Sequence, residues 1–180
     1  MARRVVRHEV IQPLHTSYRF IPLTQGLNAI VDAEDFEWLS EYPWYASWDP
    51  RGKSFEARTN QTRTDGSRFQ HKMHRLILEC GLGEEIDHRN HNTLDNRRLN
   101  LRKCTQAQNK QNKRAYSRCK SGFKGVCWKT RERRWTAQIQ VSKKKMFIGY
   151  FDSKEEAARA YDVAAKQHFG EFAYLNFPMV

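Results

Sequence analysis

The chain has 180 residues, enough for one mid-sized domain or two small ones. Its apolar fraction of 39% and aromatic fraction of 12% exclude a disordered chain, and no apolar run approaches the roughly 20 residues needed to span a bilayer. A formal net charge of +12 points to a polyanionic partner, because each lysine or arginine near a phosphate releases condensed counterions.

The first residues, MARRVVRHEV, are basic, but no apolar core follows them. No secretory signal is expected, and the protein is expected to be soluble and intracellular. Residues 1–20 read as an arm or edge. Pro22–Asp32 predicts a short strand and a second one after Gly26. Asp35–Ser40 starts a helix, with Asp35 at its amino end and Phe36 and Leu39 three apart. Trp44, Tyr45 and Trp48 follow as an aromatic cluster, expected in the core. Phe55–Thr62 and Arg68–Met73 flank Thr64-Asp65-Gly66-Ser67, and Asp-Gly between extended runs predicts a hairpin. Met73–Glu79 predicts a short helix closed near Gly81 and Gly83.

The four cysteines, Cys80, Cys104, Cys119 and Cys127, form no C-x-x-C pair and are expected to be free thiols in a reducing compartment. His71-x-x-His74 and His88-x-x-His91 offer zinc donors together with Cys80, but without the clean ligand spacing of a structural zinc site.

Glu85–Asn109 reads EIDHRNHNTLDNRRLNLRKCTQAQN, and between Asn96 and Lys120 there are nine Lys/Arg and no acid. This shift in composition marks a junction, read as a basic strap along a phosphate backbone. Phosphodiester cleavage needs a base to activate water, a cation for the charged transition state and stabilisation of the leaving oxygen. A histidine serves as base near neutral pH. A carboxylate and an amide oxygen are hard ligands for magnesium or manganese. Neighbours on a flat strand point to opposite faces, so Asp87 and His88 can share one phosphate only if the strand ends or bends there. The loop-like run Arg89-Asn90-His91-Asn92 allows this. Thr105-x-x-Gln108 has the spacing of a capping box, which predicts a helix from Thr105 with Asn109 in its first turn.

After Ser121, FKGVCW, RWTAQIQV and KMFIGYF predict three strands. In the second, Trp135, Ala137, Ile139 and Val141 share a buried face, and Thr136, Gln138 and Gln140 share the exposed one. Ser153-Lys154-Glu155-Glu156 is a capping box for a helix that runs to Gly170. Ala157, Ala160, Tyr161, Ala164 and Ala165 form its inward stripe.

IDH, LDNRRLNLR and TQAQNKQN together resemble the HNH endonuclease family, in the branch found in phage and homing endonucleases. The core of the resemblance covers Met73 to Asn112, and the segment from Leu23 fits the same branch. The resemblance implies that His88 is the general base and that Asp87 and Asn109 are ligands of one divalent cation, Mg2+ with Mn2+ as substitute. It further implies that Asn100 is the central asparagine bracing the loop, helped by Asn96, and that the products carry a 5′ phosphate and a 3′ hydroxyl. The sequence departs from the family at His91, where relatives commonly have glycine. A left-handed backbone suits histidine poorly, so the expectation is a reshaped loop or strain taken up at Asn90.

KGVCW, RRWTAQI and FIGYFDSKEEAARAYDVAA through LNFP resemble the plant APETALA-two/ethylene-response-factor DNA-binding domain, over Ser121 to Pro178. That family lays its three-stranded sheet in the major groove. The resemblance implies DNA-facing roles for Lys124, Cys127, Lys129, Arg131, Gln138, Gln140, Lys145 and Phe147. Cys127 stands where plant members often have arginine, and Gln138 and Gln140 replace an acid and an arginine. The plant target sequence therefore does not carry over.

Together these readings predict an α+β chain: a ββα-metal (HNH) nuclease module plus a small three-stranded antiparallel sheet backed by one α-helix. The expected divisions are a nuclease module with a β-rich extension at 1–112, a basic linker at 113–120 and a DNA-binding domain at 121–180. Arg97, Arg98, Arg102, Lys110, Lys113 and Arg114 are expected along the phosphate backbone. The expected partner is double-stranded DNA, with no membrane and no small-molecule substrate. The expected state is a monomer that nicks, with a dimer as the form that would cut both strands. The resemblance to phage and mobile-element enzymes implies the cytoplasm of a bacterial host. The alternatives are a catalytically silent DNA-binding regulator, decided by metal-dependent cutting, and an RNA-binding structural protein, decided by competition between duplex DNA and RNA.

Overall fold

The computed structural model describes residues 7–50, 52–81, 83–113 and 120–178. The chain divides into two compact units, Met1–Thr105 and Gln106–Val180.

The first unit opens with an antiparallel hairpin of β1 (Tyr18–Pro22) and β2 (Asn28–Asp32). A 3-10 turn, Ala33–Asp35, leads into α1 (Phe36–Ser40). An antiparallel sheet follows, made of β3 (Tyr45–Asp49), β4 (Ser54–Thr62) and β5 (Arg68–Lys72) with β4 at its centre. The β4–β5 turn falls at the predicted Asp-Gly: Gly66 takes φ +81° and the Ser67 amide donates to Asp65 Oδ1 at 2.8 Å. α2 (Met73–Ile77) comes next. β6 (Glu85–His88) and β7 (Leu101–Cys104) then pair antiparallel.

Leu23, Ala29, Val31, Leu39, Trp44, Met73 and Ile77 fill the core of this unit. Trp44 is buried with its indole N–H satisfied by the Leu39 carbonyl at 2.7 Å. Trp48, expected beside it, is 51% exposed. It shares a face with Ala46 but lies near the end of β3, where its ring meets Phe55 edge-on at 5.1 Å.

The second unit starts with α3 (Gln106–Asn112), one residue after Thr105. Its antiparallel sheet has β9 (Arg134–Val141) between β8 (Val126–Lys129) and β10 (Lys144–Phe151). α4 (Lys154–Phe169) crosses one face. Both halves of its capping box form, Ser153 Oγ accepting from the Glu156 amide and Glu156 Oε2 from the Ser153 amide. Val126, Ala137, Ile139, Ala157, Ala158, Tyr161 and Ala165 make the core. Ala158 is fully buried although it lies off the predicted stripe, and Ala164 is half-buried. The close approach of helix to sheet is fixed at Gly125, at φ +77°. A Cβ there would stand 2.1 Å from the Tyr161 ring and 2.7 Å from the Gln138 carbonyl.

The division between Thr105 and Gln106 places α3 with the second unit, whereas the sequence motif groups it with the strands before it. No helix among the described residues is long and apolar enough to cross a membrane.

Candidate active site

Asp87 and His88 close strand β6, and His88 is its last residue. Both side chains are buried. Asp87 lies directly across from Arg102 on β7. Its Oδ2 accepts from Arg102 Nε at 2.9 Å and Nη2 at 2.6 Å, in an ion pair with 8% of the Asp87 side chain and 7% of the Arg102 side chain exposed. Removing either charge would strand the other inside the protein.

The loop from Arg89 to Asn100 is held by its asparagines. Asn100 Oδ1 accepts from the Asn90 amide at 3.0 Å, and its Nδ2 donates to the Asp95 carbonyl at 2.7 Å. Asn90 Nδ2 donates to Asp95 Oδ2 at 2.8 Å. The loop is also pinned to β2: the Ile30 amide donates to the Leu94 carbonyl at 2.8 Å, and the Asn96 amide to the Ile30 carbonyl at 2.7 Å. His91 adopts the left-handed conformation itself, at φ +62°, with its amide donating to the His88 carbonyl at 3.1 Å. His91, not Asn90, takes the left-handed backbone.

The sequence offers His74 only as a zinc donor without proper spacing. It is buried on α2, and its ring meets that of His88 edge-on, with centroids 5.0 Å apart and planes at 89°. No periodicity in the sequence signals this pairing. Burial pushes the His74 imidazole well below its ordinary 6.5, and the neighbouring His88 adds to the shift. Burial also lowers His88, against the opposing pull of the Asn96 carboxamide and the Asp87 charge. No cluster of three or more His, Cys, Asp or Glu side chains suited to a metal occurs among the described residues. Cys80, Cys104 and Cys127 are free thiols, and Cys119 lies outside the described residues.

These two imidazoles fix a pH dependence of stability. Unfolding returns both to about 6.5, so below that pH the unfolded chain takes up protons that the folded chain refuses. The stability they confer is complete above 6.5 and is lost as pH falls from there toward their folded values. Each contributes about 1.4 kcal/mol per pH unit across that window. The melting temperature is expected to drop between about pH 7.5 and 5.5, and to drop less in His74→Phe. A flat profile in the wild-type protein would contradict this.

The expected phosphate contacts of the first unit are engaged with carboxylates. Arg97 grips Asp95 with two contacts at 2.7 and 2.8 Å, and Arg98 grips Asp35 likewise. Arg102 is committed to Asp87, as above. Asn109, Lys110 and Lys113 belong to the second unit: Asn109 is half-buried on α3, and both lysines are exposed. Arg114 lies outside the described residues.

The free face of the second unit's sheet carries most of the predicted contacts. Lys129, Arg131, Gln138, Gln140 and Lys145 are exposed, and Phe147 is 61% exposed. Lys145 pairs across from Gln140 and Phe147 from Gln138, so these four share a face. Cys127 and Thr136 lie on the same face and close on each other, Sγ to Oγ1 at 3.2 Å, which leaves Thr136 buried rather than exposed. A bulge between Phe147 and Gly149 shifts the phase of β10. It brings Tyr150 onto the face of Phe147, ring centroids 4.9 Å apart, although strict alternation separates the two. Lys124 turns inward: desolvation pulls its ammonium down to about 8.

The AP2 domain family model matches residues 121–171. An uncharacterized HNH endonuclease of Acanthamoeba polyphaga mimivirus is 31% identical over 154 residues, covering 84% of this chain and 76% of that protein. The chain belongs to the HNH endonuclease family. It joins the HNH region to an AP2 domain in one polypeptide. The AP2 region is 45% identical over 58 residues to an AP2/ERF and B3 domain-containing protein of Oryza sativa subsp. japonica, a match over 32% of this chain and 16% of the plant protein. It is 42% identical over 67 residues to dehydration-responsive element-binding protein 2A of Arabidopsis thaliana, a match over 34% of this chain and 18% of that protein. In this HNH–AP2 chain, β6 ends at the buried Asp87 and His88, and Asn100 braces the loop that follows them.

Proposed function

We propose that the protein is a metal-dependent endonuclease that hydrolyses phosphodiester bonds in duplex DNA, steered by its AP2 sheet. The observation that carries this reading is the buried Asp87–His88 pair at the end of β6, facing a loop braced by Asn100, in a chain of the HNH family. His88 acts as general base. Burial keeps its imidazole neutral at neutral pH, the form that accepts a proton from the attacking water. Asn100 fixes the loop that follows His88 and so fixes where the imidazole points. The two ligands that the resemblance implies are Asp87, which offers a carboxylate oxygen, and Asn109, which offers a carboxamide oxygen; each is a hard donor of the kind Mg2+ takes, and Mg2+ commonly completes its shell with water and phosphate. When bound, the cation supplies positive charge to the phosphate and the leaving 3′ oxygen. In this reading β6, β7 and α3, in chain order strand, strand and helix, are the ββα-metal module. Residues 1–112 cut, 113–120 link, and 121–180 tether the cutter to DNA and raise its local concentration.

One observation favours a second reading. Asp87 is already held by the buried Arg102 guanidinium, as it would be in a catalytically silent DNA-binding protein. Incubating the full chain with supercoiled plasmid, in magnesium and in chelator, separates the two. Nicked or linear product formed only with magnesium is the expected result. Tight binding without cutting, in Mg2+ and in Mn2+, would leave the silent reading standing.

A further inference from the structure

The free face of the second unit's sheet is built in four rows that run across its strands. The first row holds Lys129 across from Arg134, whose guanidinium pairs with Asp152 at 2.8 Å. The second holds Cys127, Thr136 and Tyr150. The third holds Gln138 and Phe147, and the fourth Gln140 and Lys145. Side chains two apart on a strand share a face, so the rows stand about 7 Å apart. Cations stand in the outer rows, and the exposed Arg131 and Lys143 extend them into the turns beyond. The two inner rows carry no charged side chain.

What the inner rows expose is one carboxamide and two rings. Cys127 and Thr136 close on each other, and Thr136 is buried. Phe147 and Tyr150 are both exposed, with ring centroids 4.9 Å apart and planes tilted by 59°. Gln138 is exposed directly across from Phe147. Two touching rings at the centre of a sheet face keep apolar surface in water until something covers it. Tyr150 reaches this patch only through the bulge after Phe147, and it stands outside the positions that the family resemblance implies.

The chemistry of these rows sorts the base pairs. In the major groove guanine is read by arginine or lysine at O6 and N7, and cytosine by a carboxylate at N4. Neither kind of side chain stands in the inner rows. Adenine is read at N6 and N7 by a carboxamide such as that of glutamine, which offers the matching acceptor and donor. The thymine methyl is read by apolar contact. The outer lysines, on long flexible stems, suit phosphates, which position a protein without specifying sequence.

We propose that the sheet reads A·T base pairs in duplex DNA: Gln138 meets an adenine edge, and the Phe147–Tyr150 ring pair packs on a thymine methyl, which makes Tyr150 a further DNA-contacting residue. This rests on the reading of the sheet as a binder of duplex DNA. The sequence that directs cutting is then A·T-rich at its centre.

The test uses the full chain in chelator, so that binding is measured without cutting. Duplexes with a randomised core are selected. The affinity of the selected duplex is compared with that of its G·C-substituted form, of its single strands, and of a duplex in which deoxyuridine replaces thymine. Wild-type protein is expected to select an A·T core and to bind it roughly tenfold tighter than the G·C form, the discrimination of one bidentate contact. Deoxyuridine is expected to weaken binding about fourfold, the scale of one methyl group taken from water. Tyr150→Ala is expected to remove most of that difference, and Gln138→Arg to move the selected base to guanine. Both positions are exposed, so both variants are expected to melt as wild type does. A G·C core selected by wild type would overturn this inference alone. So would an A·T preference that Gln138→Ala and Tyr150→Ala leave unmoved, since another part of the chain would then be reading the bases. Single strands bound more tightly than any duplex, or no duplex bound at all, would overturn the duplex reading and this inference together.

Discussion

Replacing His88 with alanine is expected to slow DNA cleavage by about 10²- to 10⁴-fold, the range a positioned general base contributes. DNA affinity is expected to hold. His88 is buried at the end of β6 and carries no charge at neutral pH, so its removal releases no phosphate contact. The defect should therefore fall on the catalytic rate and not on binding. His88→Asn, which fills more of the site, serves beside it, because alanine opens a cavity against the His74 ring. The two variants should be equally inactive while differing in melting temperature. Cleavage that survives His88→Ala within about tenfold of wild type would remove His88 from the chemistry and require another base in the site.

Much of the HNH region is legible in the order and spacing of its residues. Asp87, His88 and Asn100 carry their signal in spacing, and the fold brings all three to one strand end and the loop beyond it. The loop's brace is readable because asparagine has both a donor and an acceptor on a short arm, so a cluster of them in a turn predicts mutual satisfaction. His91 is readable as a conflict but not in its resolution. Hydrogen bonds on either side of the position fix the backbone, and the side chain tolerates φ +62° because the alternative is to break them.

Other residues are not legible, for identifiable reasons. His74 meets His88 across two elements that only the tertiary fold brings together. Tyr150 joins the sheet's free face through a bulge, and a period-two pattern carries no mark of an extra residue. Composition makes Arg97, Arg98 and Arg102 look like a strap of free cations. A charge count does not see geometry: Arg97 folds back on Asp95, Arg98 reaches Asp35 beside the first helix, and Arg102 meets Asp87 by pairing across strands. On the second unit the alternation of β9 sorts its residues between the two faces but does not show that Cys127 covers Thr136. Gln138 and Gln140 point outward, and Ala137 and Ile139 pack inward under α4.

Arg102→Met is expected to destabilise the first unit by about 3–5 kcal/mol, because it leaves the Asp87 carboxylate buried without its cation. The magnitude follows from burial. Arg102 and Asp87 are both almost wholly shielded, so water cannot take over for the missing guanidinium, as it would for the exposed pair of Lys103 and Glu84. Pairing Arg102→Met with Asp87→Leu is expected to restore most of the stability, since a buried ion pair replaced whole by apolar side chains costs little. The two changes should then be strongly non-additive in a double-mutant cycle followed by denaturant unfolding. The cycle also bears on function. If the pair contributes little net stability when removed whole, Arg102 is not kept for the fold, and its role is to hold Asp87 in one orientation at the end of β6 beside His88. If the double variant stays as unstable as Arg102→Met alone, the ion pair is a structural element of the β6–β7 hairpin, and the orientation of Asp87 follows from it.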